Sequence, residues 1–292
     1  MKKSTSVKFA AAALSVVTVL GSGIPVFAES ASEASEAEVI QVAGVTGKKP
    51  YTFVDENGEF SGYDFEVLKL IDEKLEQYDF EYTALEQDAL LVGLQSGKYD
   101  LASCSFYGTK ERFETFDHSN NPVSISDARL IVRSDEDSIN SLEDLASSDK
   151  QLAPIPTDDA RYTIINAFNA ANPDLAIDFE GATEQSATTA DTLKAVANGV
   201  YDAAIYPFTS FTSVQADLNL DLKVTDSVGL FPTVFLYTKA ADRSELIEAV
   251  DAALQELRDD GTLSELSEKW YGEDAFSLEG ADELTSVIYW ED

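Results

Sequence analysis

Residues Gly93 to Pro122, GLQSGKYDLASCSFYGTKERFETFDHSNNP, constrain the fold more than any other stretch. They describe the end of a helix, a glycine turn, a short strand, and a loop entering a new helix. Leu90, Leu91 and Leu94 make an apolar stripe, and Gly97 stands where a left-handed cap is needed. Glycine adopts that conformation without Cβ strain. Ala102, Cys104 and Phe106 then alternate with Ser103, Ser105 and Tyr107, the period of a strand with one apolar face. Arg112 follows Thr109 by three residues, where the loop turns into the next helix. A strand ending in small hydroxyl residues, with a guanidinium just beyond, can hold a carboxylate. The fork donates two parallel hydrogen bonds, and backbone N–H groups and hydroxyls add more.

Strands and helices alternate on both sides of this stretch. Val39 to Ala43 is a strand, Pro50 to Phe53 leads into a second, and Asp55 to Gly58 is a turn. Gly62-Tyr63-Asp64 opens a helix with Phe65, Leu68, Ile71 and Leu75 on one face. Phe80 to Tyr82 is a strand and Asp88 to Ser96 a helix. The alternation implies an α/β class with a largely parallel sheet, whose ligand crevice lies beyond the carboxyl ends of the strands. Ser103 to Tyr107 ends its strand there.

Downstream, Val123 to Val132 is a strand, Leu142 to Leu145 a short helix, and Gln151 to Pro156 another strand. A helix with Ala160, Ile164, Phe168 and Ala171 on one face follows, and Thr157 is its N-cap candidate. Thr189 to Asn198 is a helix stopped by Gly199, and Asp202 to Tyr206 a buried strand. Leu230 to Lys239 is a strand, and Leu246, Val250, Leu254 and Leu257 face one way on a long helix that stops near Gly261. Leu263, Leu266, Trp270 and Tyr271 pack the last turn.

Charge excludes some partners. The chain carries 54 acidic and 20 basic residues, a formal net charge of −34, so nucleic acid and anionic lipid are repelled. Cys104 is the only cysteine, which rules out an intrachain disulfide and suits a small packed strand residue. Residues 1–28 have the form of a secretory signal. Lys2, Lys3 and Lys8 precede an apolar run from Phe9 to Leu20, and Val26-Phe27-Ala28 makes a cleavage site after Ala28. Ser22 stands where a lipoprotein would carry its lipidated cysteine. Residues 29–38 form an acidic, low-complexity leader expected to be disordered. His118 lies in the polar run DHSNNP and is expected to be a solvated loop residue. No phosphate loop, HExxH or GxSxG motif occurs, so no catalytic residue is expected. One histidine, one cysteine and no DxDxDG spacing argue against a metal site or cofactor.

The segment from Thr109 to Arg112 resembles the T-x-x-R signature of extracytoplasmic solute-binding proteins of family 3, which feed amino acids to ABC importers. Gly62 to Val67 (GYDFEV), Leu94 to Asp100 (LQSGKYD), Val196 to Tyr206 (VANGVYDAAIY) and Leu266 to Asp274 (LSEKWYGED) match in the same order. The resemblance implies a two-lobed α/β fold with two hinge crossings and a ligand cleft. Residues 39–125 and 232–292 would form lobe one, and 126–231 lobe two. It implies that Arg112 clamps an α-carboxylate, with Ser105 and Tyr107 at the pocket floor, unless Arg112 forms a structural salt bridge with the neighbouring Glu111 or Glu114. Tyr51 would lie over the ligand or else be a core or rim aromatic. Thr157 would be a helix cap or meet the ligand from lobe two.

One departure stands out. Relatives carry DAxxxD where this chain has Asp202-Ala203-Ala204-Ile205-Tyr206-Pro207, so Pro207 replaces the acid that receives the ligand ammonium. The acid usual near the first strand is not evident in GVTGKKPY either. Asp158, Asp159 or Glu184 could substitute. Pro154 to Asp174, with Glu86 to Asp100, looks most like the cystine and sulfur amino-acid branch. The expected function is capture of a polar amino acid between closing lobes by a monomeric protein that docks on a membrane permease. A ligand sensor or a secreted dehydratase on the same fold are the alternatives.

Overall fold

The computed structural model describes residues 37–156, 159–178, 181–182 and 188–284. The signal segment and most of the acidic leader fall outside them, as do Thr157, Asp158 and Glu184. β1 (Glu38–Val45) buries Ile40 and Val42 on one face and Ala43 and Val45 on the other. A strand covered on both faces has no need of polar alternation. β2 (Gly47–Lys48), β3 (Thr52–Val54) and β4 (Phe60–Ser61) form a small antiparallel sheet, and Asp55 closes its turn by accepting the Asn57 and Glu59 N–H groups.

Helix α1 (Tyr63–Lys74) buries Tyr63, Val67, Leu68 and Ile71, a face rotated slightly from the sequence expectation. Phe65 leaves that face to stack on Phe60, with ring centroids 5.3 Å apart. β5 (Tyr78–Leu85) and α2 (Gln87–Gln95) follow. Gly97 then caps α2 at φ 75°, and the Lys98 N–H reaches back to the Gly93 carbonyl. β6 (Leu101–Tyr107) leads to α3 (Lys110–Thr115) and β7 (Asp117–His118). His118 is thus a strand residue stacked on Phe113 at 3.7 Å between centroids, and not a solvated loop residue.

β8 (Ser124–Arg133) and β12 (Leu222–Tyr237) are the two long strands. Between them lie α4 (Leu142–Ala146), β9 (Ile155–Pro156), α5 (Ala160–Ala171), β10 (Gly181–Ala182), α6 (Thr189–Ala197), β11 (Ala203–Pro207) and α7 (Phe208–Leu218). Helices α8 (Ser244–Asp259) and α9 (Thr262–Tyr271) follow β12. The expected strand at Gln151 to Pro156 shrinks to β9 plus a bridge at Leu152. The α5 cap is Asp159, whose carboxylate accepts the Arg161 N–H at 2.9 Å, and not Thr157.

The main sheet runs β11-β8-β12-β6-β1-β5, with β7 paired to β12. β5, β1 and β6 are parallel, whereas β8, β11 and β12 are antiparallel. β12 pairs with β8 from Leu222 to Thr233 and with β6 from Thr233 to Tyr237, so it spans the sheet's two halves. Apolar clusters divide the same way. Ile40, Leu68, Phe235 and Val250 meet on one face, and Leu90, Leu94, Phe106 and Leu236 on the other. Separate clusters gather Leu130, Ile155, Ile165 and Ile205, and Ile131, Leu193 and Ala204, around β8 and β11. Arg129 on β8 ties the parts together: it pairs with Asp127 and Glu273 and lies 4.2 Å from the centre of the Phe208 ring.

One polar device past β8 has a pH signature. Glu136 is buried, accepts from Lys150 Nζ at 2.8 Å, and accepts both the N–H and the hydroxyl of Ser138. The Lys150 bond, then the Ser138 bonds, lower its carboxyl to about 2. A depressed acid contributes stability above its unfolded value of about 4.3, and that stability is lost as pH falls through the folded value. Glu136→Gln is therefore expected to lower Tm at pH 7, with the gap from wild type closing toward pH 2. A gap independent of pH in thermal melts would contradict this.

Candidate binding site

The site begins at a buried carboxylate. Asp64, in the first turn of α1, accepts the Ser105 N–H at 2.7 Å and the Ser103 hydroxyl at 2.8 Å. The serine face of β6 is buried on this group, with Ser103 fully enclosed and Ser105 at the edge of the cavity. Burial raises the Asp64 carboxyl above its ordinary range, against those two bonds and the nearby Lys48 charge. Ser105 has φ 48°, a left-handed conformation that non-glycine residues rarely hold. The Asp64 bond offsets that cost and turns the end of β6 toward the adjoining cavity. Such strain gathers where a backbone must present itself to a ligand.

The cavity has a volume of about 620 Å³. One wall comprises Lys48 from β2, Tyr51 from the following turn, Gln87 and Leu91 from α2, Ser105 to Tyr107 from β6, and Thr109 and Arg112 around α3. The facing wall comprises Pro156, Asp159 and Ala160 at the start of α5, with Pro207 and Ser210 at the start of α7. Two helix N-termini therefore end at the cavity, where the macrodipole favours negative charge.

Arg112 is held from below. Its Nη1 donates to the Tyr107 carbonyl at 2.8 Å, and its head lies 5.6 Å from the centre of the Phe106 ring. Thr109 caps α3 by accepting the Arg112 N–H. The spacing of Thr109 and Arg112 thus fixes the backbone that carries the guanidinium. Tyr107 shares a hydrogen bond with Ser126 of β8 at 3.0 Å, and its ring packs on Phe231 of β12. Tyr51 is buried, packs edge-on to Tyr271, and its hydroxyl bonds Thr209 of α7, 158 positions along the chain. Burial, then the Tyr107 hydroxyl, pushes the Tyr51 phenol far up, so it stays neutral.

Across the cavity, Arg161 grips Asp159 through Nε at 2.9 Å and Nη2 at 2.6 Å, and donates Nη1 to the Ile205 carbonyl. Its head stacks 4.1 Å from the centre of the Tyr206 ring. Burial works against the Asp159 carboxylate, but Arg161 outweighs it and holds the group below its ordinary value. Asp159 is the ionised acid of this wall among the described lining residues.

Of the residues singled out in the sequence, Arg112, Ser105, Tyr107 and Tyr51 line the same cavity, and Thr157 and Asp158 lie outside the described residues. The Ser105 N–H and the Tyr107 hydroxyl are engaged within the protein. Lys48, Gln87 and Ser210 were not anticipated. Lys48 carried a signal, since it stands three residues before Tyr51 in the segment that lacks the usual acid. Helix α7 was missed because FTSFTSVQADL mixes hydroxyl and aromatic residues without a clean stripe. Its left-handed stop at Asn219 is the cue that could have marked its end.

Residues 40–273 match the family described as bacterial extracellular solute-binding proteins, family 3. The chain belongs to that family. Among its relatives, the probable amino-acid-binding protein YxeM of Bacillus subtilis is 31% identical, over 94% of this chain and 97% of that protein. The L-cystine-binding protein TcyK of Bacillus subtilis is 29% identical, over 92% of this chain and 97% of its own. The crystal structure of ytmK, a probable amino-acid ABC transporter extracellular-binding protein of Bacillus subtilis, superposes with a TM-score of 0.68 at 27% identity. It covers 82% of this chain and 99% of that one. Members of family 3 are extracellular binding proteins, and the two-lobed fold of the family accounts for the split core and the long strands β8 and β12. No described helix is long and apolar enough to cross a membrane.

Proposed function

We propose that the protein is the solute-binding component of an ABC importer and captures a polar amino acid, with cystine as the leading candidate. Arg112 grips the α-carboxylate, and Asp159 offers the acid that Pro207 cannot. Ser105, Tyr107 and Tyr51 complete the lobe-one wall, and Thr157 and Asp158 meet the ligand from lobe two. The lobes comprise residues 39–125 with 232–292, and 126–231. The loaded monomer docks on a membrane permease and itself carries out no reaction. A secretory segment at 1–28, cleaved after Ala28, takes it outside the cytoplasm.

The observation that carries this reading is the guanidinium of Arg112 in a cavity walled from both sides by separate segments of chain. Closing such a cavity removes water and strengthens the pairing by lowering the local dielectric. A ligand favours the closed form only through contacts that both walls make together. Family membership and the cystine-binding relative support the ligand class.

A thermal-shift screen of the amino acids, cystine included, tests this. A true ligand at a hundredfold excess over Kd adds about 2.7 kcal/mol, a rise in Tm of roughly 5–10 °C for a chain this size. A flat response to every amino acid would overturn the proposal.

A further inference from the structure

One peptide unit of β6 is held at both ends by side chains from other segments. Between Ala102 and Phe106 β6 advances four residues, while its partner β12 advances two, from Leu236 to Val234. The ladder to β1 ends at Ser103. A bulge of this kind disrupts ladder pairing and re-aims a strand beside a site. Inside it the Cys104 carbonyl accepts from the Lys48 ammonium at 2.9 Å, and the Ser105 N–H donates to Asp64 Oδ2 at 2.7 Å. Those two groups belong to the same peptide bond. Its oxygen meets a cation and its N–H an acid, so both bonds follow the peptide's own dipole. The Ser103 hydroxyl steadies the same carboxyl oxygen at 2.8 Å.

Rotating this peptide would let Ser105 leave its φ of 48° for an ordinary negative value, but would break both bonds. Further along, the Tyr107 carbonyl seats Arg112 Nη1 at 2.8 Å. The path of residues 105–107 therefore decides where the guanidinium stands. We propose that Lys48 and Asp64 clamp the Cys104–Ser105 peptide, and that this clamp sets the position of Arg112 and with it the affinity of the site. Lys48 is then a positioning residue, whose effect on the ligand passes through the backbone. The proposal rests on the reading that Arg112 holds the ligand carboxylate.

Glycine at position 105 removes the strain that the clamp opposes, whereas alanine keeps it and loses the same hydroxyl. Lys48→Met is therefore compared in the Ser105→Ala and Ser105→Gly backgrounds by calorimetry with cystine. It should weaken binding about tenfold or more in the first and stay within about threefold in the second. The difference reflects a left-handed conformation about five- to thirtyfold less disfavoured for glycine, which keeps the competent form populated. Equal losses in the two backgrounds would mean that Lys48 acts on the ligand directly or on the fold at large. No loss in either would mean that the peptide is held without it. Both results overturn the inference. Ligand-free crystal structures of the same four proteins give a second reading. With Ser105→Ala and Lys48→Met combined, position 105 should leave positive φ and Arg112 should leave the Tyr107 carbonyl. With Ser105→Gly both should stay. An unmoved peptide in the alanine combination overturns the clamp. If Lys48→Met does not fold, Lys48→Ala repeats the comparison. Cystine failing to bind the unsubstituted protein counts against the proposed ligand, and the ligand-free structures then decide the clamp by themselves.

Discussion

Arg112→Ala is expected to abolish ligand binding while the protein folds normally. Removing one partner of a desolvated charge pair costs about 2–5 kcal/mol, which weakens affinity by roughly thirty- to several-thousandfold. The fold should survive because the backbone features at this position do not use the side chain. Thr109 caps α3 through the Arg112 N–H, and Phe116 N–H closes the helix on the Arg112 carbonyl. Both remain in alanine. What disappears is the guanidinium seated on the Tyr107 carbonyl and the Phe106 ring. Arg112→Lys separates charge from shape, since an ammonium keeps the sign but not the fork. An intermediate loss of about tenfold or more is expected there. Calorimetry with the best ligand from the thermal screen gives the answer, and near-wild-type affinity in Arg112→Ala would remove Arg112 from the site.

Much of this arrangement was legible in the sequence because it is local. The Leu90 and Leu94 stripe, the Gly97 cap and the β6 alternation are set by neighbours a few residues apart. So is the Thr109 cap beneath Arg112. The five ordered motifs supplied the two-lobed fold, which no single segment does.

What the sequence hid depends on contacts between distant segments. Ser103 and Ser105 look like a solvent face, yet a carboxylate some 40 positions away satisfies them inside the protein. β12 begins at Leu222 and not Leu230, because its first half is polar and half-exposed and is held by pairing with β8. His118 lies in a polar run, but pairing with β12 and the Phe113 ring make it a half-buried strand residue. Lys48 resembles any exposed lysine until the Cys104 carbonyl and the cavity wall are placed around it.

Gly62→Ala is expected to produce the largest loss of stability of any single-methyl addition in the described fold. Gly62 sits at φ 115° and ψ 169°, a region essentially reserved for glycine. An added Cβ would lie 2.2 Å from the Tyr51 carbonyl oxygen, 2.6 Å from its carbon and 2.9 Å from the Pro50 oxygen. All three are backbone atoms, so no side chain can swing aside. Those same carbonyls accept the first N–H groups of α1, Tyr63 to Pro50 at 2.9 Å and Asp64 to Tyr51 at 3.1 Å. Making room means lifting the 50–51 segment off α1, which breaks the helix start and draws Tyr51 away from Thr209. Strain and lost bonds together amount to about 4 kcal/mol or more. Gly199→Ala is the control: it shares a positive φ of 72° but meets nothing within 4 Å, so it should cost only the strain of about 1–2 kcal/mol. Urea unfolding of the two variants separates close approach from backbone strain. Equal losses would mean that the 50–51 segment yields freely, and the wall that carries Tyr51 would then not be fixed by α1.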